Sequence, residues 1–391
     1  MKNGFKVIDC DRHVVEPADI WDRYLDKRFA HYQVRQTPHS LNTTVHGLPP
    51  QATVPVRLTG TGTSTLVSRK REFNLPHTGF DLEPVWRGKF KGAIARGFNT
   101  ESYLFDMDKE GVDIAVCFTG MGLYATWRDD LPPDLADGMC RAYNNWLYDY
   151  MAPNPGRLKG VCLLPFQDLE LAKKELRRAA TELGMVGIFW RPNPHMGRLM
   201  SDPALDEIYS LCEELNVTVC VHEGIQNRMP WFGMRRVENG FSHHMTCHPY
   251  EQMGAFVTMA AGGVFDRHPK LRAAYLESGA GWLPYWAERL DALHRNPLFA
   301  GTYRGSLAPS EYFKRGNAFV STEADEKTSV MLARICGDGC LMWASDYPHT
   351  DAMLNFPHSL DELTEPEGGN PPELITKVLW DNPARFFALD V

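Results

Sequence analysis

The sequence predicts a (β/α)8 TIM barrel, and three observations carry that prediction. Eight short apolar or β-branched runs of strand length are spread along 391 residues, most intervals between them hold a helical pattern, and several runs end in polar residues. Strands that alternate with helices pair in parallel, and eight such units are the count that closes a barrel. A doubly wound open sheet is the structural rival, but the GxGxxG signature of a dinucleotide site after the first strand is absent.

The first run, FKVIDCDRH from Phe5, is apolar and then ends in charged residues and a histidine, as a buried strand does when its end reaches a polar site. VDIAVCF (112–118), LKGVCLL (158–164), MVGIFW (185–190), VTVCVH (217–222), LRAAYLE (271–277), AFVST (318–322) and LMWASD (341–346) complete the eight. Between the third and fourth, residues 168–184 place Leu169, Leu171, Leu176 and Ala180 near one face, with Gly184 as the stop. DPALDEIYSLCEELN reads as another helix ending at Asn216, and ELITKVLWDNPARFFAL as a closing helix. Residues 27 to about 103 interrupt the pattern with Thr-, Gly-, Ser- and Pro-rich stretches. They read as an insertion after strand one, forming a lid or an oligomer contact on an otherwise single domain spanning 1–391. Gly60 to Ser64 lacks the GK[ST] of a phosphate loop and reads as a plain loop.

Composition narrows the function classes. The formal net charge is −8 with no basic run, which argues against a nucleic-acid binder. Hydrophobic residues at 43% and charged residues at 23% fit a globular chain with a sizeable core. No window approaches the roughly 18 apolar residues of a membrane helix, and the start lacks the apolar core of a signal peptide. A cytoplasmic protein that does not engage membranes is expected. Nine scattered cysteines with no CxxC pair fit reduced core thiols.

Barrel enzymes build their sites from residues at the C-terminal ends of several strands. Here strand one ends in Asp11 and His13, whose i, i+2 spacing points both side chains the same way; strand five ends in His222, strand six in Glu277 and strand eight in Asp346. Three carboxylates and two imidazoles at one mouth repel and desolvate one another unless a cation sits among them. Oxygen and imidazole donors without thiolate suit zinc, manganese or iron(II).

At these positions the chain resembles a known family. DCDRHVVEP (9–17), YNNW (143–146), VHEG (221–224), GGVFDRHPKLRAAYLESGAGWLPYWAERLD (262–291), ASDYPHTD (344–351) and DNPARFFAL (381–389) are similar, in this order, to the amidohydrolase-related branch of the amidohydrolase superfamily. That branch includes aminocarboxymuconate-semialdehyde decarboxylase and γ-resorcylate decarboxylase. The resemblance implies a distorted (β/α)8 barrel with a divalent metal at its mouth, held by Asp11, His13, His222 and Asp346. It also exposes a departure: many members carry a histidine at the end of strand six, where this chain has Glu277. Glu277 is thus open to three roles: ligand or bridge to a second metal, base, or hydrogen-bond partner of the loop. A carboxylated lysine on strand four is absent, so a two-metal centre would need Glu277, Asp11 or a loop residue such as His248 as its bridge.

Arg191, Arg228, Arg235 and Arg236 are candidates to fork onto a substrate carboxylate, and His349 to touch substrate or a ligand. Trp190, Trp231 and Phe232 line either a pocket or the core; Glu16 reads as a helix N-terminal partner and His268 as structural. Three functions compete. The leading one is hydrolysis, with Asp346 as base for a metal-activated water attacking an amide, ester or thioester of a small molecule. The alternative is nonoxidative decarboxylation, and the third is a non-catalytic binding barrel. A divalent cofactor of one or two ions and a homo-oligomer are expected, whereas a scaffold would not need five metal-compatible residues at one mouth.

Overall fold

The computed structural model describes residues 1–36, 43–48, 87–120, 124–223, 232–233, 240–299, 301–323, 326–349, 356–365 and 369–391. Its centre is the expected barrel of eight parallel strands: β1 Ile8–His13, β2 Ile114–Phe118, β3 Leu158–Cys162, β4 Gly187–Trp190, β5 Thr218–Val221, β6 Ala273–Tyr275, β7 Ala318–Thr322 and β8 Leu341–Trp343. Each strand pairs with the next in chain order, from Ile8 opposite Ile114 to Leu341 opposite Val320. Helices cover the outside and the strands fill the inside, so nearly every strand residue is buried, including all of IAVCF in β2 and AFVST in β7. Such doubly covered strands read as continuous apolar runs, which is why all eight were visible in the sequence.

Details of the helices differ from the sequence reading. The helix Leu169–Thr181 begins on the Asp168 side chain, which accepts from the Glu170 and Leu171 amides, and Gly184 beyond its end has φ of 66°. Its fully buried face is Ala172, Glu175, Leu176 and Ala179, whereas Leu169, Leu171 and Ala180 are half-buried at the edges. Glu175 goes inward because Asn144, Arg141 and Arg178 neutralise and hydrogen-bond it. All nine cysteines are buried and free. No helix among the described residues is long and apolar enough to cross a membrane.

Of the insertion, residues 49–86, which include Gly60 to Ser64, lie outside the described residues. Its described parts are not loop alone. Phe29 and Val34 are buried, and a short ribbon pairs Arg35 with Thr44. Phe90 packs edge-on against Tyr347 at 5.2 Å and beside Phe356 at 5.0 Å, so the insertion's end leans on the segment that follows β8.

The barrel closes where β8 returns to β1. The Asp346 amide donates to the Asp11 carbonyl (3.1 Å) and the His13 amide to the Tyr347 carbonyl (2.7 Å). Beneath this seam Arg12 is fully buried, with Nη1 on Asp9 (3.2 Å), Glu110 (2.5 Å) and the Ser345 hydroxyl (3.3 Å). Its guanidinium lies over the Tyr347 ring at 3.9 Å, a cation–π contact. Asp9 in turn accepts from the Ser345 amide (3.0 Å), and Glu110 from the Ser359 hydroxyl (2.6 Å). The register of β1 shifts between Asp9 and Arg12. A bulge re-aims side chains, so Asp9 and Arg12 serve the seam while Asp11 and His13 serve the mouth. Burial pushes the Asp9 carboxyl up to about 7 despite Arg12, and Glu110 and Asp9 together outweigh burial to keep Arg12 charged.

Removing one member of a buried ion network leaves uncompensated charge, at a cost of about 3–5 kcal/mol. Arg12→Ala is therefore expected to lower unfolding stability by about that amount. Denaturant titration at pH 7.5 measures it, and a loss below about 1 kcal/mol would remove the seam network from the account of barrel closure.

Candidate metal centre at the barrel mouth

Asp11 and His13 leave β1 on the same side, and His222, Glu277 and Asp346 follow directly on or just past the ends of β5, β6 and β8. Glu277 and Asp346 adopt left-handed backbone angles, φ 50° and 53°, which cost a non-glycine residue about 1–2 kcal/mol each. Such strain persists where the surroundings over-determine it, and here it turns each carboxylate back across its strand end.

The resulting distances are short. His222 Nε2 is 3.0 Å from Asp11 Oδ2, and His13 Nε2 lies 3.6 Å from Asp11 Oδ1 and 3.3 Å from Asp346 Oδ1. Asp11, His13 and His222 form one compact donor group; His13, Asp346 and His349 form a second that shares His13. Metal bonds of about 2.0–2.2 Å put neighbouring donors about 3.0–3.5 Å apart, close to these separations.

Hydrogen bonding decides what each imidazole offers. His13 Nδ1 lies 2.8 Å from the Thr119 carbonyl oxygen and His222 Nδ1 2.5 Å from that of Glu223. A carbonyl only accepts, so each Nδ1 carries the proton and each Nε2 presents a lone pair. Those two Nε2 atoms and both oxygens of Asp11 are buried without a hydrogen bond. Lone pairs thus face lone pairs, an arrangement that a proton or a cation must resolve. Burial, with His349 nearby, lowers the His13 pKa and disfavours the proton. At Asp346 burial opposes the charge, but His349 and His13 outweigh it and hold the carboxyl below its usual range. The donor set therefore fits a divalent cation, with the Nδ1–carbonyl bonds fixing ring orientation.

The remaining candidates fall in distinct places. Glu277 stands 3.4 Å from His222 and 3.6 Å from His248 but joins neither donor group, and His248 also lies outside both. His349 stacks on His13 at 3.9 Å with Nδ1 2.8 Å from Asp346. Arg191 is buried and directed into the loops: it donates to the Thr126 carbonyl (2.6 Å), to Asp129 (2.7 Å) and to the Pro194 carbonyl. Arg228, Trp231, Arg235 and Arg236 lie outside the described residues. Trp190 is core, stacked on Tyr209 at 5.2 Å, and Phe232 is exposed. His268 bridges Asp206 and Glu213 as a structural residue. Glu16 accepts from the Thr119 hydroxyl (2.6 Å), beside the carbonyl that orients His13. Sequence reading missed that link and the seam network, because the register shift between Asp9 and Arg12, which separates Asp9 from Asp11 and His13, is not visible in DCDRH.

Comparison with known proteins bears on the family and the fold. Residues 8–389 match the amidohydrolase family. A curated 2-amino-3-carboxymuconate-6-semialdehyde decarboxylase from Dictyostelium discoideum is 29% identical over 292 residues, 73% of this chain and 75% of that protein. A γ-resorcylate decarboxylase from Polaromonas sp. is 27% identical over 274 residues, 65% of this chain and 78% of its own length. Among solved structures, a dihydroxybenzoic acid decarboxylase from Polaromonas sp. with bound manganese and the inhibitor 2-nitroresorcinol superposes with a TM-score of 0.60 at 22% identity. That match covers 74% of this chain and 86% of that one.

Two outcomes are expected. Alanine at His13, His222 or Asp346 should each reduce metal affinity by more than the ~10–100-fold typical of losing an outer partner, read as metal per chain after dialysis. Full occupancy in all three variants would remove the assignment. The second concerns His195, buried on the Arg191 loop with its pKa held well below 6.5 by burial and by Arg191 and Arg198. Below pH 6.5 the unfolded chain binds the proton first, so His195 contributes stability above that pH that is lost as pH falls toward the folded value. His195→Gln should flatten the fall in thermal midpoint between pH 6.5 and 5, and an unchanged slope would contradict this.

Proposed function

This chain belongs to the amidohydrolase family, and from that premise we propose that it is a metal-dependent nonoxidative decarboxylase of a small carboxylic acid. The observation that carries the reading is that the curated relatives, matched over most of their length, are decarboxylases, while this mouth offers an oxygen and imidazole donor set. The comparisons favour this reaction over the hydrolysis expected from the acid-rich strand ends. Of the possible bridges for a two-metal centre, Glu277 and His248 stand outside the donor groups, and Asp11 stands inside one.

Asp11, His13, His222 and Asp346 would hold one divalent ion, manganese, zinc or iron. When bound, that ion supplies positive charge that orients and neutralises the substrate carboxylate. The chain's own residues do the rest. Decarboxylation replaces the carbon–carboxylate bond with a carbon–hydrogen bond: one proton is added, the bonding pair stays on carbon, and carbon dioxide leaves. The Asp346–His349 pair, 2.8 Å apart, holds that proton at the mouth. His349 is partly exposed, which lets solvent restore the proton after each turnover. Phe118 and Phe189 flank His222 at 5.4 and 5.2 Å and keep the floor of the site apolar and dry.

Metal-loaded protein incubated with 2,6-dihydroxybenzoate, 5-carboxyvanillate and a set of amides, esters and thioesters tests the proposal. Carbon dioxide release from an acid, with one solvent deuterium at the vacated carbon in D2O, is the expected result. Acyl hydrolysis without carbon dioxide would restore the hydrolase reading. Asp346→Asn should lose about 100- to 10,000-fold in kcat, as removal of a positioned proton-transfer group does. Glu277→Gln should keep its metal and lose less than about tenfold. Loss of metal from the Glu277 variant would return that residue to the coordination shell.

A further inference from the structure

The helix Pro249–Ala261 follows β5 on the outside of the barrel, yet its first turn reaches the mouth through two side chains four residues apart. Gln252 Nε2 donates to the carbonyl oxygens of Val221 (3.1 Å) and Leu276 (3.0 Å), the residues immediately before His222 and Glu277. One helical turn earlier, His248 Nδ1 lies 3.1 Å from the Glu277 carbonyl oxygen. The helix is thereby pinned across the two strand ends, and His248 is held over the gap between them.

The polarity of His248 follows from that bond. The carbonyl accepts, so Nδ1 carries the proton and Nε2 is a lone pair. Nε2 is buried and makes no hydrogen bond. Leaving a buried acceptor unmade costs about 1–3 kcal/mol, which an apolar residue at this position would avoid. The electrostatic surroundings of the ring are His244, His222 and Asp346, so it stands among the mouth residues although it belongs to neither donor group. Standing apart from both donor groups, the atom has the chemistry of an acceptor awaiting a donor.

We propose that His248 contacts the substrate, presented from this helix rather than from a barrel strand, and that its Nε2 accepts a hydrogen bond from an O–H or N–H group close to the substrate's reacting carboxylate. This inference rests on the decarboxylase reading for the identity of the substrate, but its polarity claim stands on the structure alone. A buried acceptor discriminates: a substrate with the donor satisfies it, and an analogue with methoxy in that place leaves it unmade.

Two measurements on the full-length metal-loaded protein test it. Nitrogen-15 NMR, with His248 assigned by comparison with His248→Gln, should show the Nδ1–H tautomer; an Nε2–H tautomer overturns the proposal whether or not any acid is turned over. Kinetics on 2,6-dihydroxybenzoate and 2,6-dimethoxybenzoate form the second arm. Wild type should prefer the dihydroxy acid by about 10- to 100-fold in kcat/KM, a preference that His248→Leu abolishes and His248→Gln, whose amide oxygen also accepts, partly restores. Unchanged preference in His248→Leu, folded by its thermal midpoint, overturns the proposal. If neither acid is decarboxylated, the function reading fails on these substrates and the tautomer alone decides His248.

Discussion

The closure of β8 onto β1 is the constraint on which the rest of this molecule depends. Two backbone hydrogen bonds, Asp346 to Asp11 and His13 to Tyr347, join residues that are themselves metal-donor candidates or their neighbours. The geometry of the mouth is therefore set by the same contacts that complete the barrel. The buried Arg12 network lies directly behind them and is attached at Asp9 in β1 and Ser345 beyond β8. Buried ion networks of this kind add little net stability over an apolar packing, but they tolerate only one arrangement of their members. Here that arrangement fixes how far Asp11 stands from Asp346.

A second level of control lies in backbone carbonyls. His13, His222 and His248 each turn Nδ1 to a main-chain oxygen, of Thr119, Glu223 and Glu277 respectively. The same device produces two chemical results. Where Nε2 meets carboxylates at about 3.0–3.6 Å, as for His13 and His222, the lone pairs converge into a cation site. Where the ring sits at the start of an outer helix, as for His248, the buried lone pair stands apart from both donor groups. Three imidazoles fixed by the same kind of bond thus meet different surroundings through position alone.

Stability and activity compete at these positions. Left-handed backbone at Glu277 and Asp346, unpaired lone pairs at Asp11 and His13, and a buried unsatisfied Nε2 at His248 all oppose folding. The barrel tolerates them because its strands are covered on both faces and its seam is cross-linked by charge and aromatic contacts. The acid-rich strand ends suggested hydrolysis, whereas the curated relatives are decarboxylases. Both reactions begin from the same cation site, so the difference resides in how protons and substrate are held around it.

The sequence alone determined the architecture and which polar residues stand at the strand ends. Eight apolar runs, several of them ending in polar residues, specify strands and their mouth ends, because strand periodicity and burial are local properties of the chain. Asp11, His13, His222 and Asp346 were legible for that reason. Local spacing does not report which main-chain oxygen an imidazole will meet, nor which side chain a distant helix will deliver. Arg191 looked like a substrate clamp until the loops bearing Thr126 and Asp129 closed around it. Glu16, Gln252 and the Arg12 network acquire their meaning from partners about 20 to more than 330 residues away in sequence. Such contacts form only when the barrel closes, so only the tertiary structure decided them.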